Sequence, residues 1–325
     1  MEKVCLTTFV YGERYIAYIP FLIFSCTKAY PEYDIIIFVY GHINEKIKTQ
    51  ISNVSYNNNK IKIIENAYSE FKVMTPLLSK TIRWLLWDED FQKYDYLYTV
   101  DIDMLYIKEP ILLHKQHICH MNTIGLPFSN IKRKRKFNFL KLYDIGKAYK
   151  ELGIFHALKC IGIIKNETKL TGLHFVKVKE YYTEKNLRII SQSKNKLIKK
   201  KYLSKIYFPN NEIYLSRLVD LFNFDLNKIP LQKNSTNMLN PNNPEREEFR
   251  PHHGIHLGCL IDNETLENSI DIFKTETYKN YIQTYKNEIL TDTIFLNLIE
   301  ESPPHIKSIF NRLNNYFDIT HIEQK

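Results

Sequence analysis

Two aspartates two positions apart, Asp101 and Asp103, close a run of apolar and aromatic residues, Tyr96-Leu97-Tyr98-Thr99-Val100. On an extended chain residues i and i+2 point to the same side, so both carboxylates are expected on one face where a buried strand ends. The carboxyl ends of the strands are where open parallel sheets bind their ligands. Like charges this close repel, and each is driven toward protonation unless a cation compensates. Hard oxygen donors suit Mg²⁺ or Mn²⁺, which makes a divalent ion the expected partner. Other chemistries lack their motifs: there is no Gly-rich phosphate loop, no G-x-S-x-G and no C-x-x-C.

The elements that must position this pair read as alternating strand and helix. Lys3 to Val10 is a first strand, Arg14 to Ala29 a helix, and Asp34 to Tyr40 an almost wholly apolar strand of the kind buried on both faces. A short helix over Asn44 to Ile51 and a strand over Lys60 to Ile64 follow. Thr75-Pro76 is a helix start, a capping hydroxyl before proline at the first helical position, and that helix is expected to run to about Asp88. Asp95 to Asp101 is the next strand. This alternation predicts an α/β fold with a mostly parallel sheet. Beyond Pro110 the spacing predicts a strand over Leu170 to Val178, a helix approached by a loop over Pro209 to Phe222, and a polar loop over Asn234 to Arg250. A helical C-terminal region, 261–325, broken at Pro303-Pro304, follows a core of residues 1–260 with halves of about 1–110 and 111–260.

The 325 residues are 44% hydrophobic and 25% charged, which excludes a disordered chain. Five cysteines, odd in number, suggest no disulfide framework and fit a reducing, cytoplasmic setting. The longest apolar run, Tyr15 to Cys26, contains Pro20 and is too short to span a membrane. The net charge is +9, concentrated at Lys132 to Lys136 and from Lys194 to Lys205. Such segments suit peripheral attraction to the anionic inner face of the cytoplasmic membrane. No motif lays these cations along a groove, so nucleic acid is not an expected partner.

The segment Tyr96-Leu97-Tyr98-Thr99-Val100-Asp101-Ile102-Asp103-Met104-Leu105 resembles the Asp-x-Asp segment of GT-A nucleotide-sugar glycosyltransferases, in particular those similar to glycosyltransferase family 8. Three more segments occur in the order the resemblance requires: Thr81 to Leu86, Thr171-Gly172-Leu173-His174-Phe175-Val176, and Gly254-Ile255-His256-Leu257-Gly258. The likeness spans roughly 1–260. It implies a GT-A fold and a metal, Mn²⁺ or Mg²⁺, held by Asp101, Asp103 and His256 and bridging the donor's diphosphate. Ile255 and Leu257 favour His256 over His253 as the imidazole that turns to the metal. The resemblance further implies donor contacts from Thr8 and Tyr11 to the base, from Arg83 to phosphate or sugar, and from Ile102, Gly172 and Gly258. Gly258 is followed by Cys259-Leu260-Ile261 where the family commonly has Lys-Pro-Trp, so Lys80 or Arg83 is expected to meet the pyrophosphate. The family's acidic motif stands as Asn210-Asn211-Glu212, with Glu212 the candidate base or donor-side carboxylate.

The expected function is transfer of a sugar from a nucleotide donor, a UDP-sugar, to a glycan or lipid-linked glycan, in bacterial capsule or lipooligosaccharide synthesis. The rivals are a metal-dependent phosphoesterase or nuclease, which usually needs a denser acidic cluster, and a non-catalytic glycan- or lipid-binding protein on the same fold.

Overall fold

The computed structural model describes residues 2–55, 60–134, 168–172, 174–199, 211–232, 253–267 and 273–317. Strands β1 (Val4–Tyr11), β2 (Asp34–Tyr40), β3 (Ile61–Ile64) and β4 (Tyr96–Thr99) are mutually parallel. They are followed by β5 (Met104–Tyr106), β6 (Phe128–Ser129), β7 (Lys132–Lys134), β8 (Thr168–Leu170), β9 (His174–Lys177), β10 (Leu231–Gln232) and β11 (Gly254–His256). The main sheet has the order β3-β2-β1-β4-β9-β6, with β9 antiparallel to both neighbours. Two smaller sheets, β10-β7-β8 and β11-β5, flank it. This is the α/β, mostly parallel architecture that the alternation predicts.

Period-two alternation explains why β2 is apolar throughout. Ile35, Ile37 and Val39 enter one hydrophobic core, whereas Ile36 and Phe38 enter another on the opposite face. The first core is closed by the helix Ile19–Ala29 and by the C-terminal helices Thr293–Glu301 and Pro304–Tyr316. Phe21 and Phe24 meet Phe295 at ring separations of 5.7 and 5.2 Å. The second core takes the helices Pro76–Ile82, Glu184–Ile198 and Asn211–Leu221.

Three elements differ from the pattern read in the sequence. The helix expected over Arg14 to Ala29 is two pieces, Glu13–Ile16 and Ile19–Ala29, because Pro20 has no N–H to carry a helix through and instead sits in the first turn of a new one. The helix that Thr75 caps ends at Ile82 and tightens into a 3₁₀ turn over Arg83–Leu85. Leu86 is then extended, and Asp88 caps the next 3₁₀ turn by accepting from Asp90 N. The strand expected over Leu170 to Val178 is interrupted between β8 and β9. There the Asn130 side-chain oxygen takes the hydroxyl of Thr171 at 3.0 Å and shares its N–H, at 2.9 Å, with the Ile131 carbonyl at 3.1 Å.

Arg135, Lys136, Cys160, Leu173, Lys200, Lys201, Lys205, Asn210, His252 and the 234–250 loop lie outside the described residues. Among the described residues no helix is long and apolar enough to cross a membrane.

Candidate active site

β4 stops at Thr99, earlier than the expected Asp101, and the chain leaves the sheet edge in a turn. Val100 is tied back at both groups: its N–H donates to Thr7 O at 3.0 Å and its carbonyl accepts from Thr8 Oγ1 at 2.9 Å. Thr8 is thus buried, with its hydroxyl proton committed to holding the turn in place rather than to a nucleotide base. Ile102 is buried in the first core and anchors the turn from beneath. The two aspartates are not side by side on a strand. Asp101 forms an ion pair with Arg83, and Asp103 Oδ2 stands 3.4 Å from His256 Nε2.

His256 comes from far along the chain through strand pairing. β11 runs antiparallel to β5, with Gly254 opposite Tyr106, Ile255 opposite Leu105 and His256 opposite Met104. Leu257 N then donates to Asp103 O at 2.8 Å, so backbone and side chain meet the same aspartate. Ile255 and Leu257 are buried and His256 lies between them, 22% exposed at its side chain, which is the alternation the sequence shows. Two glycines permit this approach. At Gly254, with φ +150°, a Cβ would lie 2.1 Å from the Leu105 carbonyl oxygen. At Gly258 a Cβ would lie 2.4 Å from Asp103 Oδ2 and 2.9 Å from His256 Nε2, so the missing side chain leaves the space in front of the pair. The other nitrogen, His256 Nδ1, is 3.4 Å from Cys259 Sγ.

Burial alone would neutralise both groups, but their attraction wins. Burial pushes Asp103 up, while His256, and more distantly Lys80, outweigh it and hold the carboxyl below the usual range. Burial likewise pushes His256 down, and Asp103 overrides it to keep the imidazole well above its ordinary value.

The donor chemistry fits a divalent ion. Asp103 and His256 supply a hard oxygen and an imidazole beside Gly258, and magnesium-type ions are often held by one or two carboxylates with substrate phosphates completing the shell. Among the described residues no three His, Cys, Asp or Glu side chains gather to form a complete protein cage. Asp101, the expected third ligand, is engaged by Arg83.

Arg83 is buried, with its guanidinium 4.2 Å from the Trp84 ring. Its Nε has no partner among the described residues. Gly172 lies against it, since a Cβ there would fall 3.0 Å from Arg83 Nη2 and 3.5 Å from Asp101 Oδ2. Glu212, in the first turn of its helix, forms an ion pair with Lys169. Burial pushes Glu212 up, but Lys169, Arg133 and Arg83 outweigh it and hold the carboxyl below its ordinary value. Tyr11, at the carboxyl end of β1, presents its ring to the edge of Tyr40 at 5.7 Å.

The structure therefore brings Asp101, Asp103, His256, Gly258, Arg83 and Gly172 together, with Lys80 and Glu212 close enough for their charges to act there. Tyr18 was not evident from sequence. Its buried hydroxyl has no partner among the described residues, and burial followed by the charge of Asp103 raises its pKa. Its apolar surroundings in the chain gave no sign of this, because Tyr18 reads as one more core ring.

No family model matches the chain, and no curated protein matches its sequence. Solved structures do. The chain is similar to the galactosyltransferase LgtC in complex with donor and acceptor sugar analogs, at 13% identity over 66% of this chain and 70% of that one, with a TM-score of 0.37. It is similar to core-mannan synthase A of Aspergillus fumigatus in its Mn/GDP form, at 10% identity over 71% of this chain and 73% of that one, TM-score 0.41. It is also similar to the glycosyltransferase GlyE of Streptococcus pneumoniae, at 11% identity over 100% of this chain and 66% of that one, TM-score 0.40. At scores of this size the likenesses carry no weight of their own, and the functional reading rests on the site.

Proposed function

We propose that this chain is a metal-dependent glycosyltransferase. It moves a sugar from a nucleotide-sugar donor, a UDP-sugar, to a hydroxyl of a glycan or lipid-linked glycan in the synthesis of a bacterial capsule or lipooligosaccharide. The observation that most supports this reading is the meeting of Asp103 and His256 at the carboxyl edge of the sheet, with Gly258 leaving space before them.

A Mn²⁺ or Mg²⁺ ion, when bound, supplies positive charge for the departing nucleoside diphosphate. Asp103 and His256 would hold it, with Asp101 the adjacent carboxylate. Protein dipoles and charges fixed in advance are usually the largest catalytic contribution, and the remaining residues suit that role. Arg83, rigidly stacked on Trp84, presents a planar fork for phosphate oxygens or sugar hydroxyls. Lys80 adds a compact charge on the same side. Glu212, kept ionised by its cationic neighbours, can accept a hydrogen bond from a sugar hydroxyl or take its proton. The Tyr11 ring offers a stacking face for the base. The basic segments fit a reducing, cytoplasmic enzyme working against an anionic membrane face where lipid-linked acceptors reside.

Thermal melting of the full chain against nucleoside diphosphates and nucleotide sugars, with and without Mn²⁺, tests the reading. A ligand at 100 times its dissociation constant should add about 2.7 kcal/mol. The expected shift requires both metal and a uridine nucleotide and is lost in Asp103→Asn. Folded protein that shifts with no nucleotide overturns it.

A further inference from the structure

The ribbon formed by β5 and β11 is closed at both ends by an acid and a histidine. At the end away from Asp103 and His256, Glu109 Oε1 accepts from His253 Nδ1 at 2.7 Å, and Ile107 N donates to His253 O at 3.2 Å. Glu109 also accepts from the Tyr281 hydroxyl and from Gln116 Nε2, both at 2.6 Å. His253 is gripped from its other side. Its Nε2 is 3.2 Å from His117 Nε2, and Ser129 Oγ lies 2.9 Å from both His117 Nδ1 and His120 Nδ1.

With neutral rings this chain of bonds has one consistent direction. His253 Nδ1–H donates to Glu109, so His253 Nε2 accepts from His117 Nε2–H. His117 Nδ1 then accepts the Ser129 proton, and Ser129 Oγ accepts from His120 Nδ1–H. That leaves His120 Nε2 as a bare lone pair, and it is indeed a buried atom without a partner among the described residues.

The ribbon itself is short, with three residue pairs between β5 and β11. A slip of one residue would turn His256 to the opposite face and bring Ile255 or Leu257 toward Asp103. Buried Ile255 and the close fit of Gly254 against Leu105 O resist such a slip, and beyond them a buried acid–histidine contact tied to helix 113–124, β6 and helix 276–284 fixes the far end of β11. We propose that Glu109 and His253 are a positioning pair that sets the register of β11 on β5 and so holds His256 at Asp103 for metal binding. The inference rests on the functional reading above. Neither residue touches the metal pair, and both act through the strand.

The test is Mn²⁺ binding by the full chain, followed by loss of the free-ion electron paramagnetic resonance signal, alongside thermal melting. Glu109→Ala and His253→Ala should each weaken Mn²⁺ binding by about 10- to 100-fold, as outer-shell changes at metal sites do. Glu109→Gln keeps an oxygen for His253 and should bind Mn²⁺ like the wild type. Tyr281→Phe removes a bond to Glu109 but not to His253, so it should melt lower with Mn²⁺ binding unchanged. Wild-type Mn²⁺ affinity in both alanine variants overturns the proposal, because a purely structural pair would lower only the melting point. Should Glu109→Ala not fold, Glu109→Asp, one methylene shorter, is read in its place with the same two outcomes. A wild-type chain that binds no Mn²⁺ marks the failure of the functional reading instead, before any variant is compared.

Discussion

The two ends of the β5–β11 ribbon carry the same chemical pair in opposite settings. At one end Asp103 and His256 stand 3.4 Å apart, with a glycine in front of them and a weakly bonding thiol behind the ring. At the other end Glu109 and His253 are 2.7 Å apart, with further hydrogen bonds from Tyr281 and Gln116 to Glu109 and a contact from His117 to His253. The pair enclosed by Tyr281, Gln116 and His117 serves the scaffold, and breaking it would leave Glu109 in the interior without its histidine. The Asp103–His256 pair can exchange its mutual contact for a metal, since a metal needs both groups deprotonated and takes over their attraction. Chemistry and scaffolding are thus separated along one ribbon by what surrounds each pair, a glycine at one end and the side chains of two helices at the other.

That contrast is open to direct attack. The largest effect is expected from Asp103→Asn, which should lower nucleotide-sugar turnover by about a thousandfold, several kcal/mol of transition-state stabilisation. Steady-state kinetics with and without Mn²⁺ measure it, and the metal dependence should vanish with the activity. Next comes a pair of glycines. Gly254→Ala drives a Cβ into the backbone of Leu105 and should cost about 4 kcal/mol, read by urea unfolding. Gly258→Ala meets the ends of the Asp103 and His256 side chains rather than backbone, so its melting point should fall less than that of Gly254→Ala while Mn²⁺ binding weakens. Third, His253→Ala should destabilise by about 3 kcal/mol, because Glu109 stays buried without its partner. His256→Ala should cost less than His253→Ala, because His256 is 22% exposed and His253 only 3%, yet abolish metal binding. Equal stability losses at His253 and His256 would erase the distinction drawn between the two ends. A smaller loss than at His253 is expected from Ser129→Ala, which leaves the Nδ1 atoms of His117 and His120 without their bridging hydroxyl and should cost about 1 to 2 kcal/mol in the same unfolding measurement.

Much of the fold was legible because its signals are local. The run Asp34 to Tyr40 is a strand end to end, its five central residues buried across both faces as the unbroken apolar run implies. Thr75-Pro76 caps a helix as the pattern says, but nothing local showed that the helix would tighten after Ile82. The same holds for the pair at 101 and 103. Their spacing is visible, yet the strand ends at Thr99 and the aspartates take different partners, because Thr7 and Thr8 on the neighbouring strand capture Val100 first. His256 could be chosen over His253 from its apolar flanks alone. That His253 would be the buried anchor required knowing where Glu109 and His117 lie in space.

The amino-acid sequence by itself determined the α/β alternation, the acidic pair at a strand end and the imidazole most able to reach it, all carried by residues within a few positions of one another. Only the tertiary structure decided that Asp101 belongs to Arg83 and Asp103 to His256, and that Glu109 and His253 hold the ribbon between them. These are pairings across 18, 153 and 144 positions. Separations of that size leave no periodic trace in a sequence, because the side chains meet only after the strands that carry them have found their register.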